Sequence, residues 1–271
     1  MKFQLKALAT ALALSAVAVP AQAAIDTNLS GNGSFILTVF DRTASVSATF
    51  DLGKNYLDFN QVAAAGAVSS VTASGTSFSW NLAGNADYSA AWTSFLGTSS
   101  LANTQWSITG GDKLGSGAGS TGYITTYAGT GSSTTTQMLT ALGNMDTSVG
   151  NIAVVAGSTM LTAANGAAYQ ASVPTYFLGG KNNGTGVVAV GAIGTSLGVA
   201  QSVSASSNLS QVSTTIFGNG AQFTLASNGA LSYTTNPIVT PPVPEADTWA
   251  MMMVGLGLMG FMARRRNRNQ A

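Results

Sequence analysis

Apolar and polar residues alternate with a period of two along much of the chain between residues 34 and 234. Such alternation, bounded by Gly, Asn and Asp, predicts strands that bury one face. The runs 34–40 and 44–50 flank Asp41-Arg42-Thr43 and predict a β-hairpin. Further strands are predicted at residues 68–73, 77–82, 104–109, 123–127, 152–156, 175–178, 187–190, 212–217, 222–225 and 231–234.

Two segments carry apolar residues three and four apart, which predicts short helices at 87–96 and 135–145. The Asn-Gly pairs at 183–184, 219–220 and 228–229 supply the positive φ angles that tight hairpin turns require. A Gly/Ser/Thr tract at 115–136 predicts a mobile loop or a poorly formed strand pair. Together these features predict an all-β fold, mainly an antiparallel sandwich-like domain with one or two short helices.

Charge is scarce in this chain, at 7% of residues against about 25% in ordinary soluble domains. Between residues 24 and 236 there are four basic residues against seven acidic ones. A domain of this composition has no basic stripe to neutralise phosphates, which argues against nucleic acid as a partner. Cysteine is absent, so disulfides and thiolate chemistry are excluded.

Several catalytic residue types are also missing. Histidine is absent, and the only glutamate is Glu245 near the C-terminal end. Residues 194–198 match the G-x-S-x-G pattern around Ser196, but a serine nucleophile there would lack its usual histidine base. Residues 117–122 match G-x-G-x-x-G without the strand and helix that a nucleotide site requires. Residues 255–260 match the same pattern inside the apolar segment near the C-terminal end, where glycines allow close approach of helices. We therefore predict no catalytic residues, no enzymatic activity, no cofactor and no metal site.

Aspartates are the remaining acid and base groups of the domain. Asp41 and Asp51 are predicted to terminate adjacent strands, while Asp58 and Asp112 fall near predicted turns. Paired carboxylates cleave glycosides when they lie about 5–9 Å apart, and loop aspartates can also bind calcium. The alternative is that these side chains cap helices or form Asx-turns.

Aromatic residues offer a second candidate surface. They form either a platform on which sugar rings stack or an ordinary core. The six residues concerned are Trp80, Trp92, Trp106, Tyr88, Tyr123 and Tyr127.

The first residues have the pattern of a secretory signal peptide. Lys2 and Lys6 precede an apolar run at 7–19, and Ala21-Gln22-Ala23 forms an A-x-A site. We predict a signal helix within residues 1–23 that signal peptidase removes after Ala23. The exported domain then covers residues 24–236.

The last residues combine a spacer, an apolar segment and a basic cluster. Prolines make residues 237–242 an extended spacer. The segment 249–263 is predicted to form a transmembrane helix of about 22 Å, which is shorter than the usual hydrocarbon core. The arginines that follow should face the cytoplasm and place the domain outside the membrane. They are Arg264, Arg265, Arg266 and Arg268.

Residues 243–269, with Val243-Pro244-Glu245 at their start, resemble the PEP-CTERM sorting signal. Ala246 stands where that family usually has proline. The resemblance implies an exosortase-type membrane enzyme of Gram-negative bacteria as a partner, and an association with exopolysaccharide and biofilm. A plain membrane anchor that no enzyme processes is the alternative. Residues 35–41, 49–53 and 106–112 resemble a recurrent, uncharacterised group of PEP-CTERM proteins.

The sequence thus favours an exported, non-enzymatic protein of the cell surface or extracellular matrix. It would pass through an intermediate anchored in the inner membrane. A carbohydrate-binding or adhesive module is the first alternative, and a polysaccharide-processing enzyme that uses paired aspartates is the second.

Overall fold

Antiparallel strands make one continuous sheet in the part of the chain that the computed structural model describes. The described residues are 25–28, 31–62, 70–113, 118–127, 134–152, 158–162, 189–205 and 211–236. The strands are β1 Ser34–Asp41, β2 Val46–Asn55, β3 Ser77–Asn81, β4 Thr104–Asp112, β5 Gly122–Tyr127, β6 Ser158–Thr162, β7 Gly191–Ala192, β8 Ser196–Ser204, β9 Val212–Ile216, β10 Gln222–Leu225 and β11 Ala230–Thr234. The α-helices are α1 Tyr56–Phe59, α2 Ala86–Leu96 and α3 Thr135–Ile152, and a 3-10 helix covers Ser70–Thr72.

The chain divides into two units, Met1–Asn236 and Pro237–Ala271, and every described residue belongs to the first. The predicted signal helix at 1–23 and the predicted transmembrane helix at 249–263 lie outside the described residues. Among the helices within the described ranges, none is both long and apolar enough to cross a membrane.

The sheet follows the order β3-β11-β10-β8-β5-β4-β1-β2-β6, with β7 added to β4 and β9 added to β8. Every pair of neighbours is antiparallel. The mainly antiparallel β architecture with few helices is therefore confirmed. The strands differ from the predicted sandwich in forming one curled sheet instead of two sheets packed face to face.

The curl is visible in the packing of two phenylalanines. The ring centroids of Phe35 on β1 and Phe223 on β10 are 6.2 Å apart. In the sheet order, β4, β5 and β8 separate these strands, a distance of about 19 Å in a flat sheet. The sheet therefore curls into a half-barrel and closes over its own inner face.

Alternation of apolar residues along the strands fills this half-barrel. On β1 the inward residues are Phe35, Leu37 and Val39, each fully buried. Helix α2 adds Trp92 and Phe95 to the same cluster, because its apolar residues lie three and four apart on one face. Burial of these apolar side chains away from water stabilises the folded domain.

Helix α3 covers part of the outer face of the sheet. Met138, Leu142 and Met145 pack with Tyr123 of β5, and Val149 packs with Ile36 of β1. All eight residues of β1 are buried, and Ile36 is one that α3 helps to cover. The predicted helix at 135–145 is confirmed and extends to Ile152.

The predicted hairpin of β1 and β2 is confirmed, with Asp41 paired to Val46. The predicted helix at 87–96 corresponds to α2. Strands predicted from residues 77, 104, 123, 212, 222 and 231 correspond to β3, β4, β5, β9, β10 and β11. Part of the Gly/Ser/Thr tract at 115–136 is therefore ordered as β5.

Other predictions were wrong or lie outside the described residues. Residues 70–72 of the predicted strand 68–73 form a 3-10 helix. Ile152, where another strand was predicted to start, ends α3. Residues 189 and 190, the described part of the predicted strand 187–190, are not in a strand. Predictions for residues 153–156, 175–178, 183–184 and 187–188 lie outside the described residues.

The Asn-Gly pairs have two different roles. Gly229 has a φ of 82° in the β10–β11 turn, as predicted. Asn219 and Gly220, with φ angles of 55° and 62°, do not form a hairpin. They lie between β9 and β10, which both pair with β8: β9 with residues 200–204 and β10 with residues 196–198. The two strands therefore follow each other along one side of β8. The Asn-Gly pair is therefore a loop inserted into one long bent strand.

Candidate functional site

Asp41 ends β1 and organises the β1–β2 turn. Its Oδ1 accepts hydrogen bonds from the backbone N–H groups of Thr43 at 2.8 Å and Ala44 at 3.1 Å. Its Oδ2 accepts from the N–H of Ser100 at 2.9 Å. Burial alone raises the pKa of Asp41, but these three donors outweigh it and hold the pKa below its usual value. The carboxylate therefore stays ionised and acts as a structural acceptor.

Asp51 lies in the middle of β2, opposite Ile36 of β1, so the prediction that it terminates a strand was wrong. The Ser34 hydroxyl donates to Asp51 Oδ2 at 3.0 Å and accepts from Asp26 N–H at 2.9 Å. Burial is the largest influence and raises the pKa of Asp51. The nearby Asp26 charge raises it further, while bonds from Gly53 N–H and Ser34 lower it in part.

The register of β1 and β2 separates Asp41 from Asp51. Asp41 pairs with Val46, five residues before Asp51 on β2, which places the two carboxylates about 17 Å apart along the strand. Glycoside cleavage requires about 5–9 Å. This geometry does not bring the two aspartates together as a catalytic pair.

The remaining candidate aspartates lie elsewhere. Asp58 Oδ2 accepts from Asn55 N–H at 2.9 Å and forms a capping box at the start of α1. Asp112, at the end of β4, is 7% exposed and pairs with Gly122 of β5. In the described part of the chain, no three acidic side chains come together as a group that could hold a metal ion. For Asp41 and Asp58, the capping and turn interpretation is confirmed.

The candidate aromatic platform is mostly core. Trp92, Trp106, Tyr88, Tyr123 and Tyr127 are all buried, the most exposed at 8%. The indole N–H of Trp106 donates to the Ala192 carbonyl at 3.0 Å. Trp80 is partly buried, and its indole N–H donates to the Leu52 carbonyl at 2.7 Å. These rings stabilise the fold and do not present a stacking surface.

The glycine motif around Ser196 does not have the geometry of a nucleophile elbow. Ser196 begins β8, where its Oγ lies 2.6 Å from Oγ1 of Thr224 on β10. A nucleophile elbow requires a sharp turn from strand to helix, whereas Ser196 continues into a strand. Gly122, the last residue of the first G-x-G-x-x-G match, begins β5. Residues 255–260 lie outside the described residues.

A buried polar cluster inside the half-barrel was missed by the sequence analysis. Gln201 of β8 is fully buried, and its Nε2 donates to Tyr56 Oη at 2.7 Å and to Asn60 Oδ1 at 2.6 Å. Its Oε1 accepts from Gln61 N–H at 2.9 Å. The pKa of Tyr56 is raised, mainly by burial. The hydrogen bond from Gln201 lowers it in part, and the charge of Asp112 raises it further. Gln201 therefore fixes the segment after β2 to the centre of the sheet.

Comparisons with known proteins identify one segment. Residues 242–266 match a family model described as the PEP-CTERM protein-sorting motif. The match includes Pro244, Glu245 and the first three arginines of the basic cluster. Neither a search of curated proteins nor a search of solved structures gave a match. The chain therefore carries a PEP-CTERM protein-sorting motif, which implies export and sorting by exosortase through a membrane-anchored intermediate.

Proposed function

We propose that this chain is an exported, non-enzymatic protein of the cell surface or extracellular matrix. Signal peptidase removes residues 1–23 after the Ala21-Gln22-Ala23 site. The segment 249–263 then holds the protein in the inner membrane, with Arg264, Arg265, Arg266 and Arg268 on the cytoplasmic side. An exosortase-type enzyme recognises Val243-Pro244-Glu245 and releases the domain of residues 24–236 from the membrane.

The observation that carries this proposal is the match of residues 242–266 to the sorting motif. Its position fits the proposed order of events, because the match begins six residues after Asn236, the last residue of the first unit. A cut near Pro244 would release the whole of that unit.

The non-enzymatic part of the proposal is supported by the roles of the carboxylates. Asp41 and Asp58 accept backbone N–H groups at a turn and a helix start. Asp51 is held by Gly53 N–H and by the Ser34 hydroxyl. Histidine and cysteine are absent from the whole sequence. The association with exopolysaccharide or biofilm rests on the resemblance of the tail to its family.

The test is the intact mass and the location of the protein in a bacterial host with and without exosortase. We expect loss of the residues after about Pro244, and appearance outside the cell, only when exosortase is present. The double variant Pro244→Ala/Glu245→Ala should remain full-length after signal removal and stay in the membrane fraction. Pro241→Ala, which changes a proline outside the matched segment, should be processed as the unmodified protein is.

A membrane-bound, uncut product in both hosts would show that the tail is a plain anchor. An enzymatic role would replace the non-enzymatic one if the released domain hydrolysed a polysaccharide and lost this activity in an Asp51→Asn or Asp112→Asn variant. Sorting is measured by mass and location, and enzymatic activity is measured by hydrolysis of a polysaccharide. The sorting part of the proposal can therefore fail without the non-enzymatic part, and the reverse.

A further inference from the structure

Four strands at one end of the sheet place hydroxyl groups in a row on the face opposite the core. The order of these strands is β3, β11, β10 and β8. Ser79 pairs with Ser232, Ser232 with Thr224, and Thr224 with Ser196. Paired residues of neighbouring strands lie on the same face of a sheet, so these four side chains form one cross-strand row. We call it the hydroxyl ladder.

The face of the ladder follows from its neighbours in sequence. Trp80, Tyr233, Phe223 and Leu197 each adjoin a ladder residue and pack in the core cluster inside the half-barrel. Because successive side chains of a strand point to opposite faces, the ladder lies on the outer face. Ser79 and Ser196 are exposed, and Thr224 and Ser232 are partly exposed.

A second polar row lies beside the ladder, two residues along each strand. The pairs are Ser77 with Thr234, Thr234 with Gln222, and Gln222 with Gly198. Ser77 is exposed, and Thr234 and Gln222 are partly exposed. Neighbouring strands are about 4.8 Å apart and alternate residues of one strand about 6.7 Å apart. The two rows therefore form a regular grid of hydroxyl and amide groups about 14 Å wide.

The chemistry of this grid defines its partner. The sequences of β3, β8, β10 and β11 contain no ionisable residue except Tyr233, which faces the core. The outer side chains of these strands can form no ion pair, whereas serine and threonine hydroxyls both donate and accept hydrogen bonds. A neutral polymer with many hydroxyl groups matches it, because each hydroxyl of the polymer can also donate and accept hydrogen bonds.

The grid is also held rigidly from behind. The ring centroids of Phe223 and Tyr233 are 4.9 Å apart, and those of Phe78 and Tyr233 are 5.8 Å apart. Within the ladder, the hydroxyls of Ser196 and Thr224 are 2.6 Å apart and hold each other in place. A rigid array loses little conformational entropy when it binds an extended chain.

We propose that the hydroxyl ladder and its neighbouring row bind a neutral polysaccharide that lies across β3, β11, β10 and β8. This inference rests on the proposed function, since only an exported domain meets such a polymer outside the cell. It replaces the aromatic platform with hydrogen-bonding groups, so binding depends on hydroxyls and not on tryptophan stacking.

The test is co-sedimentation of the full chain, purified in a detergent without a sugar headgroup, with insoluble β-glucan, α-glucan and mannan. We expect binding to at least one of these polymers that persists in 1 M salt, because no ion pair is involved. The variant Ser79→Ala/Ser232→Ala/Thr224→Val/Ser196→Ala should bind about tenfold or more weakly, since each lost hydrogen bond contributes a few-fold. Thr93→Ala/Ser94→Ala, on exposed positions of α2, should bind as the unmodified protein does.

A second variant covers the case in which the quadruple variant does not fold. Thr224→Arg places a long charged side chain on the partly exposed outer face and should abolish binding while the thermal unfolding curve stays intact. Equal binding by Thr224→Arg and the unmodified protein, or no binding to any of the three polymers, would overturn the proposal. If Thr224→Arg changed the oligomeric state measured by light scattering but left polysaccharide binding unchanged, the face would join two copies of the chain instead. Processing at Pro244 is read from mass, so sorting and binding fail independently.

Discussion

The indole N–H of Trp80 donates to the backbone carbonyl of Leu52 at 2.7 Å, which joins β3, the first strand in the sheet order, to β2, the eighth. In a flat sheet these strands would be about 34 Å apart. Leu52 lies beyond the part of β2 that pairs with β6, which covers residues 46–50. This hydrogen bond connects the β3 end of the curled sheet to β2, as does Lys54 of β2, whose Nζ lies 5.4 Å from the ring centroid of Phe78 on β3.

Replacing Trp80 with phenylalanine keeps a ring in place and removes this donor. We expect Trp80→Phe to lower the free energy of unfolding by about 1 kcal/mol, because a partly buried carbonyl loses its partner. A domain of this size should then melt about 2–4 °C lower. Thermal unfolding followed by circular dichroism measures the change. An unaltered melting temperature would mean that this hydrogen bond does not stabilise the contact between β3 and β2.

Close packing of β4 against β1 leads to a prediction about a glycine. A Cβ atom added at Gly110 would lie 2.3 Å from Phe35 Cδ2, inside the main core. We expect Gly110→Ala to destabilise the domain by about 3 kcal/mol, since overpacking forces the ring and the strand apart. Gly218→Ala is the matched control, because a Cβ atom there meets nothing within 4 Å. Urea unfolding of both variants should separate them clearly; similar midpoints would contradict the packing argument.

The sequence predicted the β strands that alternate cleanly, but it did not predict the closure of the sheet. Local alternation reveals which face of a strand is buried, and this was sufficient for β1, β3, β10 and β11. The contact between Phe35 and Phe223 depends on residues far apart in the chain. No local pattern contains that information, so a two-sheet sandwich and one curled sheet look alike in the sequence.

Asp41 and Asp51 belong to the same hairpin and have opposite electrostatic roles. The pKa of Asp41 is lowered in the folded protein. The ionised side chain therefore stabilises the fold above the unfolded pKa, near 3.8, and this stabilisation is lost as the pH falls through the lower folded value. Asp41→Asn should lower the free energy of unfolding by about 1–3 kcal/mol at pH 7. The reason is that an amide has one acceptor oxygen, whereas both Oδ1 and Oδ2 of Asp41 accept hydrogen bonds. The difference from the unmodified protein should shrink when unfolding is measured at pH 3.

Asp51 should behave in the opposite way, because its pKa is raised in the folded protein. Its ionisation then opposes folding, so the domain gains stability as the pH falls through the folded value toward the unfolded one. Asp51→Asn removes this cost and the repulsion from Asp26, while Oδ1 still accepts from Gly53 N–H. We expect it to be at least as stable as the unmodified protein at pH 7. A loss comparable to that of Asp41→Asn would contradict this interpretation.

The central strand β8 was missed for a physical reason. Its first residues, Ser196-Leu197-Gly198, read as part of a glycine motif, and its later residues include the inward-facing Gln201 where alternation predicts an apolar side chain. A polar residue in the core breaks the pattern by which strands are recognised. Its partners, Tyr56, Asn60 and Gln61, come from a distant segment. The buried cluster could therefore be found only in the folded chain.

The buried cluster around Gln201 should make the domain sensitive to a single substitution. Gln201→Leu keeps the volume of the side chain but removes the acceptor for Gln61 N–H and the donor to Tyr56 and Asn60. Each buried group that loses its partner costs about 1–3 kcal/mol, so we expect a loss of about 3 kcal/mol or more. Gln222→Leu makes the same change on β10, where the side chain lies on the outer face and is partly exposed, and should cost less than about 1 kcal/mol. Hydrogen exchange of Gln61 N–H, measured beside urea unfolding, tests the cause directly. Faster exchange at this amide in Gln201→Leu, with no change in Gln222→Leu, is expected if Gln201 secures the segment after β2, whereas equal effects of the two variants would show that the cluster contributes no more than a surface glutamine.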